Sequence, residues 1–241
     1  ACRSISSIRA VLIVTSDKCY ENVGATRPYN ENDALGGHDL YSASKACAEI
    51  ISQAYRASFY QGHDKVGVAT ARAGNVIGGG DWAKDRIVPD AIRAFRENNI
   101  LKIRNPDAIR PWQHVLEPLS GYLSLAEHLY TDPESFSSSW NFGPHLNDTV
   151  SVASLCDVLV NHYGGETTWE FEQPQNPPPE AALLRLSIDK ANAHLTWSPK
   201  WNLQSAVKHT IDWYKADHRK EDLHSITKQQ ILRYQSYSDD H

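Results

Sequence analysis

Residues 10–18 read AVLIVTSDK. An apolar, β-branched run passes to Thr15, Ser16, Asp17 and Lys18 with no turn residue between. Such a run, short and without alternation, predicts a strand buried on both faces, as in a parallel sheet. A second run of the same character, VGVATAR, occupies 66–72. Between the two, Leu40, Ala43, Ala46, Cys47, Ile50, Ile51, Ala54 and Tyr55 recur at helical spacing across 39–60. Strand, helix and strand in that order predict a crossover unit and a parallel α/β sheet.

The rest of the chain continues the alternation. Helices are predicted at 88–97, 116–130, 151–163, 188–195 and 202–217, with short strands near 101–103, 139–142, 168–172 and 183–187. From about 218 the sequence is polar and charged, which predicts a short final helix and a frayed tail. Two stretches carry no periodicity: 20–38, rich in Asn and Gly, and 173–182, QPQNPPPEAA. The first exceeds the ~12–15 residues at which structureless connections become unusual, which favours a functional lid.

Composition narrows the classes. Of 241 residues, 41% are hydrophobic and 22% charged, ordinary for a globular protein with a sizeable core. Net charge is -5 with no basic run, so no nucleic-acid surface is expected. No apolar stretch approaches the ~18 residues of a membrane helix, and the N-terminus does not read as a signal peptide. Cys2, Cys19, Cys47 and Cys156 form no C-x-x-C pair, which fits reduced thiols in a cytoplasmic protein. The eleven histidines show no metal-ligand spacing, so no metal is expected. The chain starts in what reads as helix-to-strand sequence and contains no methionine, so it is expected to be a piece of a longer protein.

In HDLYSASKACAEI, residues 38–50, Tyr41 and Lys45 stand four apart at the start of the helix and share one face. A phenol is a poor base at neutral pH, with a reference pKa of ~10, and an ammonium beside it favours the phenolate. Tyr-x-x-x-Lys is thus a way to build the proton acceptor of a hydride-transfer enzyme. Taken alone the motif is weak, because exposed helical pairs of this kind arise by chance. Context strengthens it. In a doubly wound sheet, ligands bind beyond the carboxyl ends of the strands. The first strand delivers Ser16, Asp17 and Lys18 there, the helix begins there with Tyr41, and the second strand ends there with RAGNVIGGGDW.

The segments VTSDKCY (14–20), YSASK (41–45), RAGNVIGGGDWAKDRIVPD (72–90) and RNPDAIRPWQHVLEPLSGY (104–122) resemble the extended short-chain dehydrogenase/reductase family that acts on nucleotide sugars. Within it they are most similar to the 4,6-dehydratase branch that takes CDP-sugars. The likeness runs from about residue 8 to 215. The family's opening G-x-x-G-x-x-G turn, which holds the cofactor pyrophosphate at a helix N-terminus, has no counterpart among the 13 glycines. The resemblance therefore implies the C-terminal part of a doubly wound, Rossmann-like sheet with a smaller, interleaved substrate-binding domain. On this division 1–75 and 110–145 are the remainder of the dinucleotide-binding domain, 76–109 and 146–217 the substrate domain, and 218–241 a tail.

The resemblance also implies roles. NAD takes a hydride from C4 of the sugar while Tyr41 removes the hydroxyl proton. Lys45 holds the nicotinamide ribose and tunes Tyr41, and Ser16 hydrogen-bonds the reacting hydroxyl. Asp17 matches the acid for the departing C6 hydroxyl and must be protonated to act, against a reference pKa of ~3.9. Lys18 stands where most relatives have Glu as the C5 base; it either removes that proton as a neutral amine or positions substrate while Tyr41 or a water takes it. Asn75, Arg86 and Arg110 match binding positions for the substrate diphosphate, and guanidinium forks suit phosphate. Trp82 is a candidate wall of the sugar site, and Gly78 to Gly80 either admit a ligand to the backbone or only make a turn. Glu180 matches the region that encloses the base, but Pro179 and Leu183 replace the family's flanking His and Tyr.

The expected activity is conversion of a CDP-hexose to its 4-keto-6-deoxy derivative and water. The rival readings are a 4-epimerase or another nucleotide-sugar dehydratase, and a non-catalytic sugar-nucleotide-binding subunit. The Ser16-Asp17-Lys18 triplet favours a dehydratase over an epimerase, and the Tyr41/Lys45 pair disfavours a non-catalytic subunit. A homodimer through helix 39–60 is implied by the family, and the sheet taken alone is expected to expose apolar edges and not to stand as a stable monomer.

Overall fold

The computed structural model describes residues 2–60, 66–173 and 184–237. Its strands are β1 Ala10–Val14, β2 Gly67–Ala73, β3 Val76–Ile77, β4 Leu101–Ile103, β5 Ile109–Pro111, β6 Gln113–His114, β7 Ser139–Phe142, β8 Thr149–Ser151 and β9 Trp169–Phe171. Its helices are α1 Leu40–Phe59, α2 Ile87–Arg96, α3 Leu116–Thr131, α4 Pro133–Phe136, α5 Val152–Tyr163, α6 Asp189–Leu195, α7 Leu203–His218 and α8 Leu223–Ser236. The chain divides into two compact units.

The first unit comprises Ala1–Gly74, Glu117–Gly143 and Leu184–Ser198. Its sheet has the order β1-β2-β7, with both pairings parallel and Ala10 opposite Gly67. The connection from β1 to β2 runs through α1, as parallel strands require. Ala69, Ala71, Leu125, Leu129, Trp140, Phe142 and Trp197 form the main core of this unit. A small second core joins Tyr20, Tyr29, Leu184 and Leu186. The stretch 20–38 is therefore not free-standing: bridges Tyr20–Leu35 and Tyr29–Leu186 tie it down. The strand expected near 183–187 reduces to that second bridge.

In α1 most of the apolar residues that recur at helical spacing face outward: Leu40 is 91% exposed and Ile51 60%, and Cys47, Ile50 and Tyr55 are exposed as well. The face turned to the protein carries Ser42, Ala46, Glu49 and Ser52. Its partner strand explains this, because β2 is buried along its length and yet contains Thr70 and Arg72. A polar strand face selects a polar helix face, since buried donors and acceptors must be paired.

The second unit comprises Asn75–Leu116, Pro144–Leu183 and Pro199–His241. Parallel pairs β3–β6 and β4–β9 and the antiparallel pair β5–β8 make three small ladders. Ile92, Phe95, Leu155, Leu159, Val207, Ile211 and Tyr214 form its core. Ser151 and Asn202 cap α5 and α7 through their side chains, and Gly164 closes α5 at φ +75°. The residues after 218 form a full helix, α8, capped by Asp222 and joined through Gln230 to the His209 carbonyl. The expected tail is thus part of this unit as far as 237. Likewise 110–116 belongs here, whereas 184–198 belongs to the first unit.

Candidate active site

In the first unit, β1 ends where the Thr15 amide donates to the Ala71 carbonyl at 2.8 Å. Ser16 is extended and caps a 3₁₀ turn over Asp17–Cys19: its Oγ accepts from the Lys18 amide at 3.2 Å and donates to Asp17 Oδ1 at 3.0 Å. Asp17 is only 3% exposed, whereas Lys18 is half-buried. The side chains of adjacent residues thus have different surroundings. Cys19, next in line, is pushed up to about 12 by burial and stays a thiol.

This turn packs against α1. Asp39 caps the helix, accepting from the Ser42 amide at 2.9 Å and the Ser42 hydroxyl at 2.6 Å, an arrangement worth about 1 kcal/mol. Its carboxyl lies below the usual range because of the Ser42 hydroxyl first and the Ser42 amide second, with the positive charge of Lys18 among the smaller causes. Lys18 therefore lies near the mouth of α1. Tyr41 lies in the first turn, 55% exposed, and the Lys45 ammonium sits 5.7 Å from the centre of its ring. The structure thus brings Ser16, Asp17 and Lys18 beside the helix that carries Tyr41 and Lys45.

Beneath them lies a polar network that the sequence reading missed. Glu49, two turns after Tyr41, is buried and ion-paired to Arg72 at 2.7 Å. Burial alone would push the Glu49 carboxyl up; the Arg72 guanidinium and the Thr15 and Thr70 hydroxyls hold it below the usual range instead. Arg72 continues to the Tyr20 hydroxyl at 2.8 Å, which donates to Asn141 Oδ1 at 2.7 Å. Asn141 Nδ2 closes on the Tyr29 carbonyl at 3.1 Å, and its amide donates to Glu31 at 2.9 Å. The signal available in the sequence was an acidic residue, Glu49, one turn beyond Lys45 in the middle of a long helix. A cavity of about 280 Å³ opens elsewhere in this unit, lined by residues such as Val11, Ile13, Ile51 and Tyr55, and none of the candidate catalytic residues lines it.

In the second unit, Asn75 precedes β3 and its carbonyl accepts from the Gln113 amide at 3.0 Å. In the glycine run, a Cβ on Gly79 would fall 2.1 Å from Trp213, and Gly80 holds φ +87°. Glycine there serves a turn closed by an indole. Trp82 packs edge-on against Tyr214 with the Arg96 guanidinium 5.0 Å above its ring. Arg86 is exposed and paired with Asp81 at 2.9 Å. Arg110, in contrast, is buried on β5, with Nη1 donating to the Ile109 carbonyl at 2.9 Å. Glu180, Pro179 and Leu183 lie outside the described residues. Among the described residues, no group of three or more His, Cys, Asp or Glu side chains could hold a metal ion, and no helix is long and apolar enough to cross a membrane.

Comparison with known proteins agrees with the fold. The family described as the NAD dependent epimerase/dehydratase family matches residues 1–141. The CDP-glucose 4,6-dehydratase of Salmonella typhimurium is 46% identical over 239 residues, 97% of this chain and 66% of that protein. The dTDP-glucose 4,6-dehydratase of the same organism is 24% identical over 78% of this chain and 51% of its own length. Among solved structures, Bacillus anthracis dTDP-glucose 4,6-dehydratase in complex with NAD has a TM-score of 0.72 at 18% identity, covering 87% of this chain and 63% of that one. Bacillus cereus UDP-glucuronic acid 4-epimerase, in complex with UDP-glucuronic acid and NAD, reaches 0.74 at 18%, covering 89% and 63%. The chain thus spans about two thirds of the length of these relatives, or less.

Proposed function

Because the chain belongs to the NAD dependent epimerase/dehydratase family, we propose that it supplies the proton-transfer and substrate-holding residues of a 4,6-dehydratase, a lyase, acting on CDP-glucose. The observation that carries this reading is the 46% identity to a CDP-glucose 4,6-dehydratase over nearly the whole chain. The placement of Ser16, Asp17 and Lys18 beside α1, with its Tyr41/Lys45 pair, supports it.

The residues present suit the nicotinamide end of NAD, since an exposed phenol and an ammonium meet on one helical face. Tyr41 and Lys45 would hold the nicotinamide ribose. When bound, NAD supplies a hydride acceptor for C4–H and later the hydride that reaches C6. The Tyr41 phenolate takes the proton of the C4 hydroxyl, and the Ser16 hydroxyl orients that oxygen. The C4 ketone then acidifies C5–H, and loss of that proton with the C6 hydroxyl releases one water. Asp17, buried and held by Ser16, gives its proton to the departing hydroxyl. Lys18 positions the sugar, and a water, or Tyr41 once it has passed its first proton to solvent, receives the C5 proton and returns it to C5 when C6 is reduced. Asn75, Arg86 and Arg110 are assigned to the diphosphate, Trp82 to the sugar and Glu180 to the base.

We further assign the protein to the cytoplasm and to a homodimer formed through α1. The outward stripe of Ile50, Ile51 and Tyr55 supports the dimer, since exposed apolar patches mark interaction surfaces. The test of function uses protein expressed from the natural gene with NAD and, separately, CDP-, UDP-, GDP- and dTDP-glucose, following products by NMR. A 4-keto-6-deoxy product from CDP-glucose is the expected result. A C4 epimer would replace the dehydratase by an epimerase, turnover of another nucleotide alone would replace the substrate, and no turnover at all would favour a binding subunit.

A further inference from the structure

The Glu49 carboxylate is nearly saturated with donors, and they come from β2, from β7 and from the residue that follows β1. Oε2 accepts from Thr70 at 2.7 Å and Arg72 at 2.7 Å on β2, and from Ser139 at 3.2 Å on β7. Oε1 accepts from the Thr15 hydroxyl at 2.5 Å. The two oxygens have separable tasks. The Oε2 contacts include the counter-charge and fasten α1 to the middle of the sheet, where nothing catalytic is attached. The Oε1 contact reaches the last residue before Ser16, where the chain leaves β1.

We infer that the Thr15–Glu49 hydrogen bond is a positioning contact, which sets the turn bearing Ser16 and Asp17 against the helix bearing Tyr41 and Lys45; this rests on the dehydratase reading above. Glu49 lies four residues beyond Lys45 and eight beyond Tyr41, about 6 and 12 Å along a rigid helix, so its placement fixes theirs. Thr15 is already tied to Ala71 through its amide. Its hydroxyl has a second acceptor, the Ala71 carbonyl at 3.3 Å, but the nearer anionic carboxylate is the stronger partner. The backbone bond keeps Thr15 in the sheet; the side-chain bond links it to the helix. Reacting groups misplaced by about 1 Å lose on the order of 10²-fold in rate, so one such link has leverage on turnover.

Thr70 provides an internal control, because its equally buried hydroxyl donates to the same carboxylate from mid-strand. The variants are Thr15→Val, Thr15→Ser and Thr70→Val in the natural protein with NAD. Thr15→Val is expected to lower kcat for CDP-glucose about 10–100-fold with KM within about threefold, and Thr15→Ser to restore kcat. Thr70→Val is expected to lose a similar amount of thermal stability while keeping kcat within about threefold. Amide hydrogen exchange gives a readout independent of the reaction: Thr15→Val is expected to accelerate exchange at Lys18 and Cys19, and Thr70→Val not to. Equal effects of the two valine variants on kcat, or on exchange in that turn, would overturn the inference. If the unaltered protein leaves CDP-glucose unchanged, the dehydratase reading fails, and the exchange comparison alone decides whether the contact sets the turn.

Discussion

Lys45 carries its ammonium 5.7 Å from the centre of the Tyr41 ring, one turn further along α1. The pair sits on a helix docked by other residues, and Tyr41 is more than half exposed. Chemistry can therefore be removed without disturbing the fold. Tyr41→Phe is expected to reduce turnover of CDP-glucose by roughly 10²–10⁴-fold, the range for loss of a general base. Its far-ultraviolet circular dichroism and melting temperature should match the parent's. A variant that keeps full activity would remove Tyr41 from the mechanism.

Lys18 separates two roles by substitution. Arginine keeps the positive charge and cannot be deprotonated. If Lys18 positions the sugar as a cation, Lys18→Arg should retain activity within about tenfold while Lys18→Met loses on the order of 10²-fold. Steady-state kinetics and loss of deuterium from C5 of labelled substrate check this. Equal inactivity of both variants would make Lys18 the base for C5–H.

The Arg72–Glu49 pair gives a stability prediction. Arg72→Met strands a carboxylate that is almost wholly buried, and loss of one partner of such a pair costs about 3–5 kcal/mol. Adding Glu49→Met should recover much of the loss, since two apolar side chains leave no buried charge. Urea unfolding of the single and double variants measures both. A double variant no more stable than the single would show that the remaining hydroxyl partners, Thr15, Thr70 and Ser139, dominate the cost.

His114 gives a pH dependence. It is buried edge-on to Trp201, accepts from the Leu116 amide through Nδ1, and burial, with His209 nearby, lowers its pKa from 6.5 to about 3. Above 6.5 the imidazole is neutral whether the chain is folded or not, so stability there is independent of this group. Between about 6.5 and 3 the unfolded chain binds a proton that the folded chain refuses. Stability should therefore fall with falling pH through that window, by about 1.4 kcal/mol per unit, and His114→Phe should flatten the slope. Chemical denaturation at a series of pH values checks it.

Gly79 offers a steric test. A methyl group there meets the Trp213 ring at 2.1 Å, too close without movement of the indole. Gly79→Ala is expected to cost about 1–3 kcal/mol, the range for overpacking. An unchanged melting temperature would show that Trp213 is free to withdraw.

Much of the α/β alternation was legible because it rests on local signals. The β-branched runs at 10–15 and 66–72 became β1 and β2 within a residue, and α1 begins directly after its Asp39 cap. What sequence could not give was the choice of face. Periodicity in α1 marked a helix without naming its inner face, and Thr70 and Arg72 on β2 made the sheet surface polar and selected Ser42, Glu49 and Ser52. That choice is a property of two elements together. α8 was underestimated for a related reason: few of its residues are buried, Gln230 and Tyr234 among them, too few to leave an apolar period. Strands β3, β5, β6 and β8, of two or three residues, were not read from the sequence, although β4 and β9, also of three, were. At the candidate site, Ser16, Asp17, Lys18, Tyr41 and Lys45 were legible as chemical groups at strand and helix ends, and the structure sets that turn against α1, whereas Thr15, Glu49 and Arg72 read as ordinary strand and helix residues.

The mainly polar inner face of α1 also bears on how such a chain can change over time. That face is made of Ser42, Ala46, Glu49 and Ser52, while Leu40 and Ile50 are exposed. Substitutions along the outer stripe can therefore accumulate, or be introduced to alter solubility or association, while the helix keeps its seat. Substitutions on the inner face have no such freedom. The proposed dimer contact and the proposed chemistry share the same twenty residues, yet they can change separately.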